Sequence, residues 1–268
     1  MNDHTFVICA YRESPYLEEC IRSLLAQTVP TRILMSTSTP NDHVRSLAEK
    51  YNIPLSVNPG EGGIAQDWNF ALSLADTPYV TLAHQDDVYE PEYLAAILEG
   101  LRCAKDPIIA FTDYFEVRDG RRVEAENSGL LRIKKLLLAP LKGTFGQRSV
   151  WLRRRSLSLG NAICCPAVTY VMGRLPERVF EPGFRSNVDW QTWERLSRLP
   201  GEFVYLPRAL MGHRVHAGST TSEVIGGGSG RTREDYEMLR RFWPAPLAKV
   251  LVRIYSKSQN SNRSGTAC

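Results

Sequence analysis

The chain has 268 residues, 43% hydrophobic and 23% charged, with a formal net charge of +4. That length suits one large α/β domain, or one domain with a sizeable excursion, and the composition is that of an ordinary globular protein. Its apolar runs are too short to cross a bilayer and a strand pattern follows Asp3 directly, so neither a membrane span nor a signal peptide is expected.

In chain order, a buried first strand is expected over 5–11 and a helix over 15–27, with Pro15 in the first turn. A strand over 32–36, a helix over 41–51 and a brief strand over 55–58 follow. Gly60, Gly62 and Gly63 break the chain before a helix over 64–75, and an apolar β-branched strand then ends at His84. A helix over 92–104 and a strand over 108–114 complete a βαβ alternation, which implies a mostly parallel sheet with right-handed crossovers. Beyond it lie a basic helical region, a loop over 161–166, a helix over 187–199, a strand over 203–206 and a polar cluster over 213–221. The glycines of 226–230 read as a mobile loop, the segment 236–255 as amphipathic helix, and the tail from 256 as polar and disordered.

Cys9, Cys20, Cys103, Cys164, Cys165 and Cys268 show no metal-type spacing, which points to reduced thiols in a cytoplasmic protein. Arginine and lysine crowd the stretch 118–155, where Leu136-Leu137-Leu138 and Trp151 interleave with them. Such a stretch suits anionic lipid or a phosphorylated substrate, and equally a solvated amphipathic helix. No nucleic-acid partner is expected, because no binding module accompanies the charge.

Three polar clusters carry the chemistry. Tyr11-Arg12-Glu13 and His84-Gln85-Asp86-Asp87 both end strands and should emerge on one sheet edge, where open α/β sheets bind ligands. An aromatic ring there stacks on a base, and carboxylates hold a hard divalent cation; helix capping by Asp86 and Asp87 is the alternative reading. The third cluster joins Asp189, near a helix start, with Trp190 and Trp193 on one helical face, and Arg214 and His216 downstream. The tryptophans fit either core or a sugar-stacking surface.

Taken together and in order, these residues resemble the glycosyltransferase family 2 enzymes with the GT-A nucleotide-sugar fold. Val7-Ile8-Cys9-Ala10-Tyr11-Arg12-Glu13 looks like the opening strand and base-stacking tyrosine, and Gly62-Gly63-Ile64-Ala65-Gln66-Asp67 like the glycine-led helix after the third strand. His84-Gln85-Asp86-Asp87 falls where the family carries its DxD signature, Asp189 matches the aspartate that acts as its catalytic base, and Arg214-Val215-His216 with Gly218-Ser219 resembles its diphosphate and metal segment. Three positions depart from the pattern: His84 replaces the first acid of DxD, Ser36-Thr37-Ser38-Thr39 replaces the aspartates that read the base, and Val188 stands where glutamate is common.

The resemblance implies an α/β, GT-A-type (Rossmann-like) fold over 1–222 with a nucleotide-binding part over 1–115 and an acceptor-binding part over 116–222. The region 223–255 would be a glycine-rich loop and C-terminal helices, and 256–268 the tail. It implies inverting sugar transfer from a UDP, dTDP or GDP sugar to a glycan or lipid-linked hydroxyl in surface polysaccharide biosynthesis. Asp189 would be the base; Ala10, Tyr11, Glu13, Thr37, Asp67, His84, Gln85, Asp86 and Arg214 would bind the donor. Asp86 and His216 would hold Mg2+ or Mn2+, and Asp87 and Trp190 would meet the acceptor. The glycine loop would close over the donor, and the C-terminal segment would either touch the membrane peripherally or pack on the domain. A nucleotidyltransferase of similar fold and a degenerate sugar-binding or assembly protein are the rival readings.

Overall fold

The computed structural model describes residues 3–216 and 229–261. Its N-terminal half alternates β1 (His4–Ala10), α1 (Leu17–Leu25), β2 (Arg32–Thr37), α2 (Asp42–Lys50), β3 (Leu55–Val57), α3 (Ile64–Ser73), β4 (Tyr79–His84), β5 (Val88–Tyr89) and α4 (Tyr93–Cys103). Strands β3, β2, β1 and β4 are parallel neighbours in that order. Their apolar runs feed two cores, because successive strand residues face opposite sides. Phe6, Ile8 and Ala10 pack with α1, α2 and α4, while Val7 joins the core under α3.

The second half contributes β6 (Pro107–Arg118), β7 (Arg121–Val123), α5 (Gly129–Leu138), α6 (Thr144–Arg148), α7 (Val150–Leu157), β8 (Val168–Val171), α8 (Val188–Leu196), β9 (Glu202–Val215), α9 (Ser229–Arg240) and α10 (Ala245–Ser261). Among the described residues the sheet has nine strands in the order β3-β2-β1-β4-β8-β6-β9-β5, with β7 paired to β6. The parallel character holds through β4 and again between β6 and β9. Strand β8 is antiparallel to both β4 and β6, and β5 to β9, which makes this half mixed.

Strand β9 is far longer than the expected 203–206. Pro207 lacks an N–H and Arg208 is exposed, so the pattern there reads as a strand end. Instead the pairing with β6 shifts register around Thr112 to Tyr114 and continues to Val215. A bulge bends a strand without ending it, and this one carries His213 and Arg214 to the edge where β4 ends.

The C-terminal segment forms two helices separated around Trp243-Pro244, and α10 runs on past 256, where a disordered tail was expected. Met238, Leu239, Ala248 and Val252 are buried in the same core as Trp190 and Trp193, so the inner faces of α9 and α10 pack on the domain. Glu194 ties the join: its buried carboxylate receives Arg154 from α7, Arg198 and Arg241. Burial works to raise its pKa, but hydrogen bonds and charge from Arg154 and Arg198 outweigh that and hold it below the ordinary carboxylate range. Of the expected glycine loop, Gly226 to Gly228 lie outside the described residues and Gly230 is already helical.

Candidate active site

The C-terminal ends of β1, β2 and β4 open into a cavity of about 660 Å³, a volume suited to a small-molecule ligand. One end of it is lined by Tyr11, Ser36, Thr37, Ser38, Asn58 and Asp67. Asp67, in the first turn of α3, accepts hydrogen bonds from Ser38 Oγ at 2.8 Å and Asn58 Nδ2 at 2.8 Å, joining α3 to the ends of β2 and β3. Gly63, at φ +155°, lets the chain enter α3 beside them, a conformation that side chains disfavour. Gln85 locks β4 to β1 by exchanging two hydrogen bonds with the Tyr11 backbone, at 3.0 and 2.8 Å. Tyr11 remains 42% exposed and available for stacking, with the Arg12 guanidinium 5.0 Å from its centroid.

At the middle of the cavity the two adjacent acids take different roles. Asp86 accepts Ser14 Oγ at 2.5 Å, and its Oδ2 lies 3.2 Å from His216 Nε2. Asp87 turns inward: Oδ1 accepts the Arg214 backbone N–H at 2.8 Å and lies 3.1 Å from His213 Nδ1. Burial raises the Asp87 pKa and lowers that of His213, but their mutual charge and hydrogen bond prevail in both, leaving Asp87 lowered and His213 raised. Together these contacts staple β9 to the end of β4. His84 stacks on Trp68 at 5.1 Å, and burial lowers its pKa and keeps it neutral.

Asp86 and His216 fit a divalent cation by donor chemistry, since one carboxylate oxygen and one imidazole nitrogen at that separation suit a shared ion. Among the described residues no group of three His, Cys, Asp or Glu side chains is arranged to hold an ion. The remaining ligands would have to come from a diphosphate or from water.

Asp189 lies at the start of α8, half-buried in the cavity wall. Its Oδ1 accepts the Trp190 backbone N–H at 2.7 Å and its Oδ2 accepts Asn161 Nδ2 at 2.6 Å. Burial raises its pKa, and these two hydrogen bonds, with the charges of Lys134 and Arg231, only partly oppose that. A carboxylate held above its ordinary range is a better proton acceptor. Glu234 and Asp235 of α9 fix the approach to α8. Glu234 accepts the backbone N–H groups of Arg185, Ser186 and Asn187, and Asp235 accepts Asn187 Nδ2.

The structure gathers Ala10, Tyr11, Thr37, Asp67, His84, Gln85, Asp86, Asp87, Asp189 and Arg214 around one cavity, with His216 joined to it through Asp86. Glu13 is exposed and absent from the lining. Trp190 is corrected from acceptor contact to core: it is fully buried, and its indole N–H donates to the Leu157 carbonyl at 3.0 Å. Asp87, expected to meet the acceptor, lines the cavity but is 1% exposed with Oδ1 committed to β9. Asn161, Lys134, Trp68 and Arg231 were not anticipated. Asn161 lies in the expected loop 161–166, and only its polarity beside apolar neighbours marked it. Gly218 and Ser219 of the resemblance lie outside the described residues.

A parallel edge that presents an exposed ring, an acid–imidazole pair and a half-buried acid sits on a fold of the GT-A type. Residues 5–159 match the family model Glycosyl transferase family 2, and the chain belongs to that family. An uncharacterized glycosyltransferase of Haemophilus influenzae is 22% identical over 234 residues, 81% of this chain and 66% of that protein, so the chain spans just under two thirds of its relative. The fold is similar to Staphylococcus aureus TarS 1–349 in complex with UDP-GlcNAc (TM-score 0.64, 17% identity, 94% of this chain and 70% of that one). It is also similar to the Pyrobaculum calidifontis mannosyltransferase PcManGT in complex with GDP-Man and Mn2+ (TM-score 0.63, 15% identity, 94% and 69%). Mycobacterium tuberculosis glucosyl-3-phosphoglycerate synthase with Mn2+, UDP and glucosyl-3-phosphoglycerate is a further neighbour (TM-score 0.54, 15% identity, 84% and 77%).

Proposed function

We propose that the chain transfers a sugar, with inversion, from a nucleoside-diphosphate sugar to a hydroxyl of a glycan or lipid-linked acceptor in surface polysaccharide assembly. The observation that carries this reading is Asp189, a carboxylate with a raised pKa in the same cavity as the Asp86–His216 pair. Tyr11 stacks on the base, and the hydroxyls of Ser36, Thr37 and Ser38 with the Asn58 amide meet its polar edge. The neighbours in complex with UDP-GlcNAc and GDP-Man support a nucleotide-sugar donor.

Asp189 takes the proton from the acceptor hydroxyl as that oxygen attacks the anomeric carbon, and Asn161 holds the carboxylate in place. Asp86 and His216 would hold Mg2+ or Mn2+. When bound, such an ion neutralises charge on the leaving diphosphate, worth several kcal/mol. Arg214 fixes the Asp86 turn by donating Nε to the Asp86 carbonyl at 2.9 Å, and it adds positive potential there. The test is Asp189→Asn, which should lower transfer roughly 10²- to 10⁴-fold with nucleotide affinity retained. Equal loss of both would remove the base assignment.

Peripheral membrane contact belongs to the same reading. Among the described residues no helix is long and apolar enough to cross a membrane. Yet Ile133, Leu136, Phe145 and Trp151 are more than half exposed along the basic stretch, beside Arg132, Lys135, Lys142 and Arg148. Apolar side chains ringed by cations suit an anionic bilayer surface. Co-sedimentation with anionic but not neutral vesicles is expected, and absence of both would end this part of the reading.

A further inference from the structure

Two cations line the cavity near Asp189. Lys134, on α5, and Arg231, on α9, are each half-buried in its wall. Lys134 Nζ donates to the Tyr114 hydroxyl at 2.6 Å. Arg231 Nε is buried with no hydrogen-bond partner. Among the described residues neither side chain forms an ion pair within 4 Å, while the charge of Arg231 also reaches Asp235. Both act on Asp189 through space, favouring its charged form, and Lys134 also disfavours the charged form of His213 at the end of β9.

Their place in the sheet separates them from the base pocket. Ser36, Thr37 and Asn58 lie at β2 and β3, whereas Tyr114 and His213 belong to β6 and β9, across β1, β4 and β8. A buried guanidinium N–H without an acceptor is costly unless a ligand supplies one. A planar guanidinium and an ammonium in the wall of one cavity make a donor set that oxyanions favour.

We propose that the acceptor bears an anionic group, a phosphate or a carboxylate, which Lys134 and Arg231 hold beside Asp189. This rests on the glycosyl-transfer reading and names the acceptor's chemical class. The pair would fix the acceptor's position while Asp189 takes the hydroxyl proton. It would also offset the repulsion between that anion and the catalytic carboxylate.

The test titrates inorganic phosphate and, separately, acetate into the chain saturated with UDP or GDP and Mn2+, which fills the donor end first. One anion should bind the wild-type chain, and its identity distinguishes a phosphorylated from an acidic-sugar acceptor. Lys134→Gln and Arg231→Gln should each weaken it about tenfold or more while nucleotide affinity stays the same, which also shows that the variants fold. The proposal is overturned if neither anion binds, if the double variant binds it as well as wild type, or if nucleotide affinity falls in step. Unchanged anion binding with an upward shift in the acid limb of the pH–rate profile would assign the cations to keeping Asp189 ionised, and also overturns it. If no nucleotide binds, the donor reading falls instead, and the same variant contrast on the free chain still decides this one.

Discussion

At the end of the cavity proposed to take the donor, each polar group sits at the tip of a parallel strand or just beyond it: Tyr11 after β1, Thr37 on β2, Asn58 after β3, Gln85 and Asp86 after β4. At the other end, Asp189 is met by Asn161 from 28 residues upstream, by Lys134 from α5 and by Arg231 from α9. One end is placed by strand register; the other depends on how separate helices pack. It follows that damage to helix packing should silence the catalytic end and spare nucleotide binding.

The largest break in that comparison is expected from Glu194→Gln, which leaves three arginines around a lost charge. The arginines are 23%, 56% and 30% exposed, so the loss of stability should be about 2–3 kcal/mol, below the fully buried range. Chemical denaturation measures it. Transfer should fall more than nucleotide affinity, and equal losses would show the two ends to be one unit.

Asn161→Ala sharpens the catalytic end. The Asn161 amide favours ionised Asp189, so its loss should move the already raised pKa up further. Activity that depends on the ionised carboxylate is lost as pH falls through that pKa. The acid limb of the pH–rate profile should therefore shift to higher pH in the variant, and a limb that stays in place would remove Asp189 as its source.

His4 probes the donor half away from the cavity. It is buried between Thr31 and Thr81, and burial lowers its pKa from 6.5 to about 3. The unfolded chain then binds a proton that the folded chain excludes. This contribution to stability is complete above pH 6.5 and declines as pH falls toward 3, by at most about 1.4 kcal/mol per pH unit. Denaturation midpoints across that range should show the slope, and His4→Gln should flatten it. Gln85→Ala is the smallest effect, about 1 kcal/mol from two hydrogen bonds to the exposed Tyr11 backbone.

The same contrast explains what was legible in the amino-acid sequence. Apolar β-branched runs that end in polar clusters announce β1 and β4, and parallel alternation then brings Tyr11 and Asp86 to one edge. Strand β9 was cut short because Pro207 and exposed Arg208 look like an end, and only pairing with β6 reveals a bulge. Trp190 and Trp193, three residues apart, read equally as core or stacking surface; the packing of α9 and α10 over them decided for core. Asn161, Lys134 and Arg231 were missed because no local spacing links them. They meet through tertiary packing alone.

The central claim is that this cavity takes a nucleotide through a cation on Asp86 and His216. Calorimetric titration of UDP, GDP and dTDP into the wild-type chain and Asp86→Ala, with and without Mn2+, tests it most directly. The account predicts that one nucleotide binds only with the metal and that Asp86→Ala abolishes this binding. Failure of all three to bind, or binding that neither the metal nor Asp86→Ala alters, would contradict it.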